Sequence, residues 1–420
     1  MRRVLKKNSR HPPFACQNVS MPRVNPEILS WARKTAGFSQ SDAVEKLGIN
    51  DARGVAAVDR LAAIESGAKE PSRPLLLKMA RHYRRPLVTF YMSAPPRKGD
   101  RGEDFRNVRD RHTSSEALVD ALVRDIRARQ SMVRAVLVDD EDAKPLPFIG
   151  SMTMRDGAGT VLASIRRTIR LDLAEFRAQG SPEEAFALLR SRVEAIGVFV
   201  LLVGNLGSHH TAIDVEAFRG FALSDEIAPF IVLNDQDARA AWSFTLVHEL
   251  AHLWLGATGV SGAFADARIE KFCNEVAAGF LLPTSELPAV GVDRDTDQAT
   301  AARLIGEFAE ERHLSRSMVA YSLLRAGSLT EDTWRALSSL FEAQWRRSRD
   351  ARRERKSEGF GPNYYVVRRH RLGLALLRFV SRNIGDGVLT PTKASKVLGV
   401  NPRSVAPLLS TAALSGGKAA

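Results

Sequence analysis

The run FTLVHELAHLWLG, residues 244–256, constrains this chain more than any other. Phe244, Val247, Ala251 and Leu255 recur at helical spacing on one face, and Gly256 supplies a stop. Four residues bring an α-helix back to nearly the same face, so His248 and His252 present two imidazoles to one cation. Neutral imidazole nitrogen suits Zn²⁺. Glu249, beside that pair, is placed to take a proton from metal-bound water as it attacks a carbonyl. Two helix histidines can also be ordinary polar neighbours, and H-E-x-x-H is short enough to arise by chance, so the third ligand decides.

Residues 267–283 read ARIEKFCNEVAAGFLLP, with Phe272, Val276, Gly279 and Phe280 at helical spacing and Pro283 as terminator. A glutamate on a second helix completes a His₂Glu set and leaves the fourth position to water. Glu270 and Glu275 compete for that role; five residues apart, they point about 140° away from each other. Glu270 is preferred, because Cys273, Ala277 and Phe280 continue its face. Asn274, one turn later, is placed to hydrogen-bond a ligand histidine, and Glu275 is expected to face outward. Cys273 reads as a small buried residue. His209, His210, His313 and His370 carry no such pattern and read as surface or core residues.

Length and composition set the frame. A chain of 420 residues with 44% hydrophobic and 26% charged residues is ordinary for a soluble multidomain protein. Its two cysteines, Cys16 and Cys273, support neither a disulfide framework nor a thiolate zinc site, and fit a reducing cytoplasm. The basic start lacks the apolar run of a signal peptide, and no stretch of 18 apolar residues suggests a membrane span. Charge is uneven: Lys+Arg against Asp+Glu is 23 to 11 over residues 1–111, 22 to 32 over 112–340, and 16 to 5 over 341–420. Basic ends around an acidic middle suggest nucleic-acid contact at one or both ends and different work between them.

Read in order, residues 1–20 are a loose basic arm. Residues 21–95 follow with short helices, Ser39 capping the second and Val55, Val58, Leu61 and Ile64 lying in the third. Residues 96–149 comprise a Pro/Gly-containing linker and a long amphipathic helix over 116–138. Residues 150–340 carry helices and strands over 197–203, 218–223 and 229–234, leading into the histidine helix. Residues 341–420 are basic and mostly helical, and no repeat of fixed period appears.

The segments FSQSDAVEKLGI and IESGAKEPSRPLLLKMARHYRRPL resemble the bacterial XRE-type helix-turn-helix domain. That resemblance implies a third helix that enters the major groove, with Arg53 and Arg60 as its few base-reading candidates. The long NDARGVAAVDRLAAIESG segment departs from the pattern, leaving open weakened DNA reading or pairing with another protein. PFIVLNDQDARAAWSFTLVHELAHLWLG followed by EKFCNEVAAGFLLP resembles the ImmA/IrrE metallopeptidases, a gluzincin-like family. The expected fold is therefore multidomain: an all-α helix-turn-helix domain, an α+β gluzincin-like metallopeptidase domain and a small helical C-terminal region. The resemblance implies His248, His252 and Glu270 as zinc ligands and Glu249 as catalytic base. It also implies that Phe230, Ile231, Val232, Leu233 and Asn234 form an active-site edge strand to which a substrate peptide adds. Such proteins cleave helix-turn-helix repressors, which makes a repressor or antitoxin-type protein the expected substrate. The rival reading is a DNA-binding regulator or antitoxin whose zinc domain senses or binds a partner without turnover. A purely structural zinc site is disfavoured, because it leaves Glu249 without a task and lacks a fourth protein ligand.

Overall fold

The computed structural model describes residues 23–96, 114–139, 143–207, 211–257, 259–260, 267–357 and 363–410. The expected basic arm, most of the expected linker and the His209-His210 pair lie outside these residues. The chain divides into two compact units, residues 1–97 and 98–420.

The first unit consists of α1 (Pro26–Thr35), α2 (Gln40–Leu47), α3 (Ala57–Glu65), α4 (Arg73–His82) and a 3-10 turn at Leu87–Tyr91. Ser39 caps α2 in a capping box with Asp42, and Gly48 ends that helix in the left-handed conformation that glycine tolerates. Ile28, Leu29, Ala32, Leu47, Leu61, Met79, Tyr83 and Phe90 close a core of its own. Arg33 and Glu65, both nearly buried, join α1 to α3 through two hydrogen bonds of 2.7 and 2.9 Å. The sequence placed Val55 within the third helix. It lies instead in an exposed turn where Ala52 and Val55 exchange backbone hydrogen bonds, and α3 starts only at Ala57.

The second unit is built on a mixed sheet. Helix α5 (Ser114–Asp139) precedes α6 (Ala158–Ile169), α7 (Leu173–Arg177) and α8 (Pro182–Ala195), and strand β1 (Phe199–Leu202) follows. Then come β2 (Gly220–Leu223), β3 (Phe230–Leu233), α9 (Arg239–Trp254), β4 (Gly259–Val260) and α10 (Ala267–Leu281). The chain continues through α11 (Gln298–Glu311), α12 (Arg316–Arg325), α13 (Glu331–Ser357), α14 (Tyr364–Leu372), α15 (Leu374–Gly385), α16 (Pro391–Leu398) and α17 (Val405–Leu409). Strand order is β1-β3-β2-β4, with β3 parallel to β1 and antiparallel to β2. No helix among the described residues is long and apolar enough to cross a membrane.

Every residue of β1, β2 and β3 is buried, because the sheet is covered on both sides. Alternation sends Val200, Leu202, Ala222, Ile231 and Leu233 to a front core shared with α6, α8, α9, α10, α11 and α12. Phe199, Leu201, Phe221, Leu223, Phe230 and Val232 face a back core closed by α5 and α14 to α17. The regions expected as separate at 96–149 and 341–420 are thus the two parts of one back layer. A buried clasp joins front to back: the Arg190 guanidinium on α8 donates to the carbonyls of His370, at 2.5 Å, and of Val200, while Glu194 accepts from Ala375 N–H at 3.1 Å.

The expected edge strand requires correction. β3 is an interior strand: Phe199 to Leu202 pair with it on one side and Gly220 to Leu223 on the other, so its backbone groups are already committed. Strand addition needs a free edge, and among the described strands only β1 and β4 have one. Asn234 is likewise spent on structure. It is fully buried, donates to the carbonyls of Ile213 and Phe218, and accepts from Gln236 N–H.

Candidate metal centre

Helix α9 runs through the middle of the front core, which accounts for the burial of Trp242, Leu246, Val247, Leu250, Ala251, Leu253 and Trp254 around its polar triplet. His248, Glu249 and His252 are themselves buried, at 4%, 0% and 3% exposure. Helix α10 packs alongside and brings Glu270 to them. Nε2 of His248 lies 3.2 Å from Oε2 of Glu270, Nε2 of His252 lies 3.2 Å from Oε1, and the two Nε2 atoms are 3.2 Å apart. Glu275 faces solvent, as expected from the helix rotation.

These distances test the fit to a cation. A tetrahedral ion with bonds of about 2.0–2.1 Å requires donor atoms about 3.3–3.4 Å apart, close to the observed triangle. Two neutral imidazoles and a carboxylate are a usual donor set for Zn²⁺, and these three residues hold their donor atoms within 4.8 Å of one another. Without a cation, protons do part of its work. Burial opposes the charged form of His252, but hydrogen bonding with Cys273 and Glu270 and the charge of Glu249 outweigh it, raising its pKa to about 11. Burial likewise opposes the charged form of Glu270, yet hydrogen bonds from His248 and His252, with their charge, lower its pKa to about 2.

Glycine places the remaining carboxylate. A Cβ at Gly220 on β2 would stand 2.7 Å from Thr245 Cγ2 and 2.8 Å from Glu249 Oε1. The sheet can therefore approach α9 closely only because residue 220 has no side chain. Sequence reading missed Gly220; its signal is a glycine opening an otherwise apolar strand. Asn274 lines the cleft beside Glu270, but the described residues show no hydrogen bond between it and either histidine. Cys273, one helical turn beyond Glu270, is instead the α10 side chain that interacts with His252.

Glu249, His248 and Glu270 open on a cleft of about 1470 Å³. Its walls include Asp214, Glu216 and Arg219 from the loop before β2, Phe244 on α9, Tyr321 on α12, and Phe341, Trp345 and Arg346 on α13. Arg346 reaches across to Glu216 at 2.8 Å. The charged run at 341–358, expected as a solvated helix, thus contributes its first turns to this wall. The two arginines expected to read DNA stand elsewhere, in the first unit. Arg53 is exposed in the turn before α3, at φ 54°, and Arg60 on α3 donates to the carbonyl of Asn50.

Residues 205–324 match the model of the Peptidase_M78 family, described as the IrrE N-terminal-like domain. The match takes in β2, β3, α9, α10, α11 and most of α12, and stops before α13. No curated protein and no solved structure matches the chain. A peptidase family known for metal dependence and a His/Glu cluster on two helices coincide here, and together they support ImmA/IrrE kinship and a metallopeptidase-type function for this unit.

Proposed function

We propose that the chain is a zinc-dependent endopeptidase of the cytoplasm that regulates by cutting a repressor or antitoxin-type protein. The observation that carries this reading is the triangle of His248, His252 and Glu270 donor atoms with a fully buried glutamate beside it, all facing one cleft. His248, His252 and Glu270 hold the cation. Zinc, when bound, supplies a Lewis acid that makes water a nucleophile near neutral pH and polarises the scissile carbonyl. Glu249 accepts the proton of the attacking water and delivers it to the leaving amide nitrogen. Burial keeps its carboxylate free of bulk water, so the proton passes between substrate and enzyme.

Substrate size follows from the cleft. Pockets for small molecules usually hold about 300–1000 Å³, and this one is larger and open, which suits an extended polypeptide segment. The N-terminal helical unit supports regulation over bulk digestion, with helix-turn-helix repressors as the substrate class and DNA as its own candidate partner through Arg53. The test is Glu249→Gln in the full chain. Zinc content should match the unmutated protein, while cleavage products of the cellular target disappear and the target itself co-purifies as a trapped complex. Products unchanged in the variant would leave the chain a partner-binding regulator without turnover.

A further inference from the structure

A turn in the back layer of the second unit repeats one in the N-terminal unit. The twelve residues SQSDAVEKLGIN, 39–50, align without a gap on TPTKASKVLGVN, 390–401. Geometry repeats with sequence. Ser39 and Thr390 each cap their helix through the hydroxyl oxygen, accepting from Asp42 N–H at 3.1 Å and Lys393 N–H at 3.3 Å. Ala43 and Ala394, like Leu47 and Leu398, are buried. Gly48 and Gly399 end the helices at φ 65° and 60°, and the next N–H returns to the helix, Ile49 to Val44 and Val400 to Ser395. A basic side chain satisfies the last carbonyls in each: Lys78 that of Leu47, Arg368 those of Leu398 and Gly399.

After the shared asparagine the copies diverge. In the first, the 52–55 turn intervenes and α3 begins at Ala57. In the second, Asn401 itself caps the next helical segment, accepting from Arg403 N–H at 3.2 Å, and the chain passes through a 3-10 turn at Pro402–Ser404 into α17. Helix, three-residue turn with a leading glycine, and helix is the connection of a helix-turn-helix. The later copy fits it more closely than the earlier one does. α15 packs against both α16 and α17, with Leu376, Val380, Val397 and Leu408 between them, completing the three-helix form.

Charge selects the partner. Residues 363–410 contain eight arginines and lysines and one acidic residue, Asp386. Lys393, Lys396 and Arg403 are exposed on α16 and at the entrance of α17, and Lys393 stands where the first copy has Asp42. The outer face of α17 continues with the exposed small residues Ala406 and Ser410, which let a surface approach closely. We propose that α15 to α17 form a second helix-turn-helix that binds double-stranded DNA. Lys393 and Lys396 contact phosphates, and Arg403 leads α17 to the groove. With one base-reading side chain, binding draws mainly on phosphate contacts and discriminates sequences weakly.

The test uses the full chain, random-sequence 30-bp duplexes and fluorescence anisotropy between 50 and 200 mM salt. Reversing Lys393, Lys396 and Arg403 to glutamate should weaken binding at least about 10-fold at low salt and flatten the salt slope by about three, near 0.9 for each lost phosphate contact. Arg53→Glu with Arg60→Glu should leave that slope in place. Zinc content and melting temperature report whether the reversed chain is folded. Independently of any variant, the duplex should slow acetylation of Lys393 and Lys396 in the unmutated protein, and polyglutamate of equal charge should not. Unchanged affinity and slope in the triple variant would overturn the proposal. So would loss of binding through the Arg53 and Arg60 pair alone, or equal protection by polyglutamate, which would make the partner an acidic protein.

Discussion

Glu270 and Glu275 share one helix, yet only Glu270 reaches the histidines, and removing each separates ligand from bystander. Glu270→Ala should lower bound zinc from about one per chain to well below it at micromolar metal, read by elemental analysis, whereas Glu275→Ala should keep it. Helix rotation alone made that choice legible. Asn274 was not legible in the same way: rotation puts it near the site but does not say which polar atom meets the imidazole, and Cys273 takes that place. Protonation supplies a second test. His252, at about 11, is protonated near neutral pH without metal, so zinc binding at pH 7 should release about one proton from it, measured by calorimetry in buffers of different ionisation enthalpy. The metal-free fold should show the linked stability. The raised pKa of His252 contributes fully below its ordinary 6.5, and that contribution is lost as pH rises through about 11. The lowered pKa of Glu270 contributes fully above its ordinary 4.5, and that contribution is lost as pH falls through about 2. Metal-free melting temperatures should therefore fall on both sides of the span from 4.5 to 6.5.

At the scale of elements, the contact of β2 with α9 fixes where Glu249 stands. Gly220→Val places a branched side chain where even a methyl carbon meets Thr245 and Glu249 below 3 Å, so the helix must shift or its side chains must leave their rotamers. The expected cost is about 1–3 kcal/mol of stability by chemical denaturation. Peptidase activity should fall at least about 10-fold while zinc stays bound, because Glu249 is no ligand. Loss of zinc in step with activity would place the strain at the metal instead. The strands themselves were legible as apolar runs at 197–203, 218–223 and 229–234. Their order was not: a run buried on both faces carries no mark of which neighbours flank it, so PFIVLN reads equally well as an edge or as the interior strand it is. The 52–55 turn escaped for a related reason, since Val55 falls in phase with Val58 and Leu61 although the helix has not begun.

In the molecule as a whole, the division into units rests on which apolar faces cover each other. The charged run of α13 and the break at 359–363 read as the edge of a separate C-terminal region. What ties that region to the sheet is long-range: Phe199, Leu201, Phe221, Leu223, Phe230 and Val232 have α5 and α14 to α17 as their partners, and no local periodicity names a partner. Burying one such side chain contributes about 1.5–3 kcal/mol, so the six together represent about 9–18 kcal/mol. Even half of that equals much of the 5–15 kcal/mol by which a typical domain is stable. A chain ending at Ser357 also strips Arg190 and Glu194 of their contacts at His370 and Ala375, leaving a buried ion pair half-satisfied. Such a chain should aggregate or melt without cooperativity and fail to hold zinc, although every proposed ligand and every residue of the family match is present. Removal of residues 1–97 deletes a unit with its own closed core, and residues 98–420 should keep both zinc and a single sharp melting transition. Calorimetry of the two truncations, with zinc content measured on the same samples, decides it: a cooperative, zinc-loaded chain ending at Ser357 would show that the peptidase fold stands without its back layer.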